Sequence, residues 1–267
     1  MSKYAYAMFV NNVKFFIEFL VLAKSIRKVG SIYDIFLFIF GNDNELKNFI
    51  EKHQHKIKML NIKIIYKDIP IKLNEIKSQS YQKLVKPFIW DFMKLLPWTM
   101  TEYSDVIFLD SDMIMLKNMD HIFELKQDFV YCDGTVSPFN SGFFKLKPNL
   151  NIYNELLNDV IESKFSSTSG WYNKGLKHKK HNAIQVIQGL LYYYFNFKYD
   201  NFNVLKMDRL LYNVNVPLFK HDGTQYIIHF TGSSKPNINH KIDINANDNT
   251  TKSYNAWKNI YNELFDN

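Results

Sequence analysis

The sequence has 267 residues, 46% of them hydrophobic, which suffices for a globular protein with a sizeable core. Its formal net charge of +7 favours anionic partners, but there is no zinc-finger spacing or RNA-binding aromatic motif, so we expect no nucleic-acid ligand. The single cysteine, Cys132, excludes an intramolecular disulfide. The sequence shows no signal-peptide pattern, and the apolar runs at 15–23 and 32–40 are too short to span a bilayer. These features predict a soluble cytoplasmic protein without a transmembrane segment.

Short apolar strands alternate with helices in the first part of the chain. Strands are predicted at 4–10, 33–42, 62–69 and 106–109, and helices are predicted after the first strand through about Lys28, at 44–53 and at 80–100. This alternation predicts an α/β fold with a mostly parallel central sheet flanked by helices.

The second part of the chain continues the pattern with longer polar connections. Residues 132–148 are predicted to form strand segments around a turn, 150–163 and 182–195 to be helical, and 225–230 to be a strand. Polar loops are predicted at 166–180 and 237–251, and a last helix at 252–265. Because we see no repeat and no linker, we predict one domain over 1–267, with the loop and helix of 237–267 packed on it.

Two carboxylates interrupt the apolar run VIFLDSDMIML at 106–116. Asp110 and Asp112 directly follow a strand that is apolar throughout, and ionised carboxylates are almost never buried without a partner. Ligands of open α/β sheets bind beyond the carboxyl ends of the strands, where this pair is expected to lie. Two hard oxygen ligands suit Mg²⁺ or Mn²⁺, which bridge carboxylates to phosphate oxygens. The alternative is a capped turn without a metal.

Several segments resemble one enzyme family in the same order along the chain. They are KLLPWTMTEYSDVIFLDSDMIMLKNMDHIFEL (94–125), FNSGFFKLKPNLNIYNELL (139–157), QGLL (188–191) and HFTGSSKPN (229–237). Together they resemble glycogenin and its relatives, the family-8 retaining glycosyltransferases, from about residue 4 to 237. The resemblance implies a single GT-A (Rossmann-like) domain that uses a UDP-sugar donor.

The resemblance also implies roles for individual residues. Asp110, Asp112 and His229 match the metal ligands, usually of Mn²⁺, with Mg²⁺ as the other option. Gln188 and Lys235 match positions expected to act in the reaction, and Lys83 is a rival to Lys94 that would require an insertion. The donor-binding positions are Phe9, Asn11, Asn12, Lys94, Asp110, Ser111, Asn140, Ser141, Gly142, Gly232 and Lys235. Beyond these, Phe15 stands where an aromatic ring stacks on uracil, Tyr212 and Asn213 match a family dipeptide, and Asp133 approximately matches an acidic position.

One position departs from the family pattern. The family usually has Asp-Gln before the GLL helix, whereas this chain has Ile187 and Gln188. We expect Ile187 to reshape the sugar pocket, and the neighbouring His181, Asn182 and Gln185 are candidates to compensate for the missing carboxylate.

The resulting functional hypothesis is a metal-dependent retaining transferase that moves a hexose, with glucose as the leading candidate, from a UDP-sugar to an acceptor hydroxyl. The alternative is a catalytically weak nucleotide-sugar-binding module that keeps the fold. The acceptor stays open between a glycan, a protein and a small molecule, and a homodimer is among the possible assemblies. Self-glucosylation of the glycogenin type is not supported, because the segment before His229 is short and Tyr226 is predicted to lie in a strand.

Overall fold

The computed structural model describes residues 3–40, 44–135, 137–174, 186–220, 222–232, 235–236 and 249–266. Its strands are β1 (Tyr4–Val10), β2 (Asp34–Ile39), β3 (Ile62–Tyr66), β4 (Asp105–Leu109), β5 (Met113–Met115), β6 (Phe129–Cys132), β7 (Phe143–Leu146), β8 (Phe165–Ser166), β9 (Gly170–Trp171), β10 (Val204–Met207), β11 (Val214–Asn215) and β12 (Ile227–His229). Its α-helices are α1 (Val13–Lys28), α2 (Asn44–Lys52), α3 (Gln54–Met59), α4 (Gln79–Val85), α5 (Leu150–Glu162), α6 (Ile187–Tyr193), α7 (Arg209–Tyr212) and α8 (Asn249–Phe265). None of these helices is both long and apolar enough to cross a membrane.

The central sheet has the strand order β10–β6–β7–β4–β1–β2–β3. Strand β7 runs antiparallel to β4 and β6, and the remaining neighbours pair in parallel. The predicted α/β fold with a mostly parallel sheet is therefore confirmed. Because β1, β2 and β4 are parallel, their carboxyl ends meet at one edge, where Asp110 follows β4.

Both faces of the sheet are covered, which explains the continuous apolar strands. Along β1, Tyr6 and Met8 belong to one core cluster, whereas Ala5 and Ala7 belong to the other. Helices α1 and α8 cover the first face, while α5, α6 and the 3₁₀ segment (Lys86–Thr99) cover the second. The apolar cluster on the first face, which contains Tyr6 and Met8, is the first core, and the cluster on the second face, which contains Ala5 and Ala7, is the second core.

A second, three-stranded sheet has the order β11–β12–β5. Strand β12 is antiparallel to β5, with His229 opposite Met113, and parallel to β11. This pairing joins the segment after β4 to a strand more than a hundred residues later. Strands β5 and β11 were not expected, because such short strands have no periodicity to detect.

Helix boundaries differ from expectation where proline intervenes. The helix predicted at 80–100 is α4 followed by the 3₁₀ segment, since Pro87 and Pro97 lack the N–H that an α-helix requires. The helix predicted at 182–195 is observed as α6 and a π-helical turn at Tyr194–Lys198, and residues 181–185 lie outside the described residues. The loop predicted at 166–180 contains strand β9, which pairs with β8 and buries Trp171.

Phe144 on β7 lies at the centre of the second core. Its ring is fully buried and stacks on Phe108 of β4, with centroids 4.9 Å apart, and on Trp98 at 5.6 Å. Phe144→Ala should lower the free energy of unfolding by about 3–5 kcal/mol in urea denaturation, because it leaves a cavity between β4 and the 3₁₀ segment. The matched control is Ile32→Ala at an 84% exposed position, with an expected change within about 0.5 kcal/mol. Equal losses in both variants would contradict this packing.

Candidate active site

A cleft with two lobes lies beyond the carboxyl ends of β1 and β4. Phe9, Phe15 and Ser111 line the first lobe, of about 520 Å³. The second lobe, of about 730 Å³, is lined in part by the consecutive residues Asn140, Ser141 and Gly142 and by Gln188 of α6. The lobes share a junction formed by Trp90, Asp91, Lys94, Asp110, Asp112 and Lys235.

Three potential metal ligands converge at this junction. Among the described residues, Asp110, Asp112 and His229 offer ligand atoms that all lie within 4.8 Å of one another. The His229 Nε2 atom is 3.2 Å from Asp112 Oδ1 and 3.9 Å from Asp110 Oδ2. Ligands about 2.1 Å from an octahedral ion lie about 3–4 Å from one another, so these separations fit a divalent cation. The β5–β12 pairing produces the cluster, because it aligns His229 with the residue after Asp112.

Asn213 orients the imidazole of His229. Its side-chain oxygen lies 2.8 Å from His229 Nδ1. An amide oxygen only accepts, so Nδ1 carries a hydrogen, and Nε2 is the ring nitrogen that faces the two carboxylates. His229 is thus oriented so that Nε2 can bind a metal ion in place of a proton.

At Gly142 the backbone that lines the second lobe packs directly against the side chains of His229 and Asp110. A Cβ atom at this position would lie 2.5 Å from His229 Cε1 and 2.8 Å from Asp110 Oδ2. The Gly142 carbonyl accepts a hydrogen bond from the Asp110 N–H at 2.8 Å, and its own N–H donates to Asn140 Oδ1 at 2.9 Å. Only glycine fits this approach.

Each carboxylate of the pair also has a lysine partner. Lys235 Nζ is 3.0 Å from Asp112 Oδ2 and lies over the ring of Phe15, and Lys94 Nζ is 2.9 Å from Asp110 Oδ1. Burial alone would raise the pKa of Asp112, but His229 and Lys235 outweigh it and hold the pKa below its ordinary range. Burial would likewise lower the pKa of Lys94, but its carboxylate partners raise it. The junction therefore sets the carboxylates of Asp91, Asp110 and Asp112 against the two ammonium groups of Lys94 and Lys235.

Glu18 on α1 lies behind these charged groups. It is only 2% exposed, and neither carboxyl oxygen has a hydrogen-bond partner among the described residues. Burial is the largest cause that raises the pKa of Glu18, and the nearby negative charge of Asp112 adds to it. The pKa rises to about 8, although Lys235 and Lys14 oppose the shift. At neutral pH the folded protein holds this group largely protonated.

Most of the residues implied by the family resemblance meet in the cleft. Asp110, Asp112, His229, Lys94 and Lys235 meet at or beside the junction, and Gly232, with φ +59°, lines the second lobe. The structure does not bring Asn11 and Asn12 to the walls of either lobe; Asn12 instead accepts a hydrogen bond from Phe15 N and caps α1.

Two other expected residues lie away from the cleft walls. Asp133 faces Lys206 and Arg209, at 3.7 and 3.9 Å. Ile187 does not line either lobe: its side chain is fully buried in the second core, whereas its neighbours Val186 and Gln188 line the cleft. Its effect on a sugar pocket stays a prediction. The candidates His181, Asn182 and Gln185 lie outside the described residues.

Sequence reasoning missed two acidic residues, Asp91 and Glu18. Each stands in an apolar segment, PFIWDFMKLLPW and FFIEFLVLA, where an isolated carboxylate is the available signal. The short spacing of Asp91 and Lys94 also predicts a pair on one helical face.

Comparisons with known proteins support the resemblance. No family model matches the chain. It is 31% identical over 152 residues to glycogenin-1 of Oryctolagus cuniculus, covering 54% of this chain and 40% of that protein. It is 28% identical over 167 residues to galactinol synthase 1 of Solanum lycopersicum, covering 52% and 48%. It is also 24% identical over 285 residues to an Arabidopsis thaliana protein provisionally named UDP-glucuronate:xylan alpha-glucuronosyltransferase 3, covering 100% and 41%. The chain thus spans less than half the length of these relatives.

Solved structures show the same fold. The glycosyltransferase GlyE of Streptococcus pneumoniae superposes with a TM-score of 0.58 at 14% identity, covering 100% of this chain and 64% of that chain. Mouse xyloside xylosyltransferase 1 gives 0.55 at 13%, covering 89% and 100%. The predicted GT-A fold and the resemblance to glycogenin-like glycosyltransferases are therefore confirmed.

The buried Glu18 predicts a specific dependence of stability on pH. The folded state keeps its proton up to about pH 8, whereas the unfolded chain loses it near 4.5. Between these values the folded state binds more protons, so the free energy of unfolding falls as pH rises. Glu18→Gln should remove this contribution and exceed wild type in stability by an amount that grows from about 1 kcal/mol at pH 5 to on the order of 5 kcal/mol at pH 9. Urea denaturation across this range measures the difference.

Glu102→Gln, at an exposed turn position, is the control and should show a flat difference across the same pH range. A flat difference for Glu18→Gln as well would contradict the protonated state of Glu18.

Proposed function

We propose that this chain, which has the GT-A fold and resembles glycogenin-like glycosyltransferases, transfers a hexose from a UDP-sugar to an acceptor hydroxyl with retention of configuration. Glucose is the leading candidate for the sugar. The observation that carries the proposal is the convergence of Asp110, Asp112 and His229, with two lysines, at the strand ends that form the cleft.

In this proposal the metal is Mn²⁺, held by Asp110, Asp112 and His229, and it supplies Lewis-acid stabilisation of the UDP leaving group. A donor set that combines an imidazole with two carboxylates favours Mn²⁺ over Mg²⁺, which prefers oxygen ligands. The orientation of His229 by Asn213 supports this assignment.

The two lobes divide the donor between them. Phe9 and Phe15 supply an apolar surface for the uracil ring in the first lobe. Lys235, 32% exposed beside Asp112, exchanges its carboxylate partner for the diphosphate and places a fixed positive charge where negative charge develops. Gly232 lets the backbone approach the phosphates. Asn140, Ser141 and Gln188 hold the sugar in the second lobe.

The arrangement supports attack on the same face from which UDP leaves. The acceptor hydroxyl attacks the anomeric carbon while the departing phosphate oxygen takes the hydroxyl proton. Gln188 is held from both ends of its amide: Nε2 donates to Ser137 Oγ at 2.9 Å, and Oε1 accepts from Ser141 N at 3.4 Å. A carbonyl oxygen fixed in this way stabilises a developing oxocarbenium ion beside the sugar.

The alternative function is a nucleotide-sugar-binding module with little turnover. The observation that favours it is Ile187, because the family position for a carboxylate is filled by an apolar side chain inside the core.

Removal of one metal ligand tests the proposal. In Mn²⁺, wild type should release UDP from at least one UDP-sugar in a panel. Asp112→Asn should abolish this release and weaken Mn²⁺-dependent UDP binding by about 100-fold or more, since it removes an anionic oxygen ligand from the ion. Calorimetry with UDP, with and without Mn²⁺, and a UDP-release assay measure the two effects. Asp222→Asn, on an exposed turn, is the control and should behave as wild type.

UDP binding by Asp112→Asn that still responds to Mn²⁺ as in wild type would contradict the metal assignment. Binding of UDP-sugars by wild type without any UDP release would favour the binding module.

Substitutions at Ile187 distinguish the two functions. Ile187→Asp should lower the melting temperature and gain no turnover, because its carboxylate would lie unpaired in the core. Ile187→Leu conserves volume and should keep the UDP-release rate of wild type. A silent wild type together with turnover in Ile187→Asp would instead establish the binding module as the natural state.

A further inference from the structure

We propose that Asp91 selects the donor sugar: it accepts hydrogen bonds from sugar hydroxyls and restricts the donor to a neutral sugar rather than a uronate. This inference rests on the proposed function and names the substrate class of the same cleft.

The position of Asp91 follows from the 3₁₀ geometry of its segment. Residues three apart lie on the same face of a 3₁₀ helix, so Asp91 and Lys94 point in the same direction. Their side chains form an ion pair of 3.0 Å and are 15% and 7% exposed. Both residues line both lobes of the cleft. Asp91 therefore lies where the nucleotide part of a donor meets its sugar part.

The contacts of Asp91 leave one oxygen without a partner. Oδ1 pairs with Lys94, whereas Oδ2 accepts no hydrogen bond from any of the described residues. Lys94 cannot satisfy both carboxylates fully, because it also pairs with Asp110 at 2.9 Å and contacts Ser141 Oγ at 3.3 Å. This oxygen is not shut off from solvent, so it is open to the cleft and can exchange water for a donor on a ligand. Sugar hydroxyls supply such donors.

The negative charge at the junction determines which donor sugar can bind there. At the junction, Asp91 and Asp110 share the single ammonium group of Lys94. A carboxylate on the sugar would lie beside the negative charge of Asp91, and Lys94 would still be paired with Asp91 when Asp110 binds the metal. Hydroxyl groups of a neutral sugar meet no such repulsion. The provisional name of the Arabidopsis thaliana relative specifies UDP-glucuronate; the charge at Asp91 predicts the opposite preference for this chain.

The test compares UDP with UDP-sugars, because only the sugar part should depend on Asp91. Calorimetry in Mn²⁺ measures the affinities of wild type and Asp91→Asn for UDP, UDP-glucose, UDP-galactose and UDP-glucuronate. Asp91→Asn should bind UDP within about threefold of wild type but bind the preferred neutral UDP-sugar about 10- to 100-fold more weakly. Its preference for the neutral sugar over UDP-glucuronate should fall by a similar factor.

Asp128→Asn is the matched control. Asp128 pairs with Lys147 at 3.0 Å, the same distance as the Asp91–Lys94 pair, and neither Asp128 nor Lys147 lines a lobe of the cleft. Asp128→Asn should leave the sugar preference unchanged. If Asp91→Asn does not fold, Asp91→Glu, which keeps the charge but displaces the carboxylate, should show the same selective loss of sugar affinity.

Equal weakening of UDP and UDP-sugar binding would overturn the inference, because Asp91 would then act only through Lys94 and the metal cluster. An unchanged sugar preference in Asp91→Asn would overturn it as well. Asp91-dependent sugar binding without UDP release would support the role of Asp91 and contradict transfer, so the two proposals fail separately.

Discussion

Two carboxylates at the end of a fully buried strand have to be neutralised, and the arrangement of the cleft follows from this requirement. Strand β4 is covered on both faces, so Asp110 and Asp112 emerge from low-dielectric surroundings. Lys94 balances the first carboxylate and Lys235 the second, and each lysine comes from a different segment of the chain. Without these cations, β4 could not end in two ionised groups at modest cost.

The two lysines differ in how freely they can change partner. Lys235 is partly exposed and lies over the ring of Phe15, so in the proposed function it is the lysine that exchanges its carboxylate for a phosphate. Lys94 is nearly buried between Asp91 and Asp110 and is fixed in place. One lysine is thus available to the ligand, while the other organises the cleft wall.

The acidic groups around the cleft have also been redistributed relative to the family pattern. The position before Gln188 carries Ile187, which packs in the second core, whereas the 3₁₀ segment presents Asp91 at the junction of the lobes. Glu18 stays protonated behind Asp112 and adds no charge at neutral pH. The net charge of the cleft wall therefore depends on the 3₁₀ segment rather than on α6.

Local patterns in the sequence were enough to predict the class of the fold and the strand end at which the cleft lies. Continuous apolar runs at 4–10 and 106–109 predicted buried parallel strands, and Asp110 and Asp112 could be located at a strand end because strand periodicity and the position of the motif are local properties. Which distant groups meet depends on the tertiary structure. His229 reaches Asp112 only through the pairing of β12 with the three-residue strand β5, and Asn213 reaches His229 through β11. Ile187 faces the core and Asp91 faces the cleft. For each residue, this direction depends on how its helical segment is rotated against the sheet. That rotation is set by packing with residues far away in the chain, which local patterns do not encode.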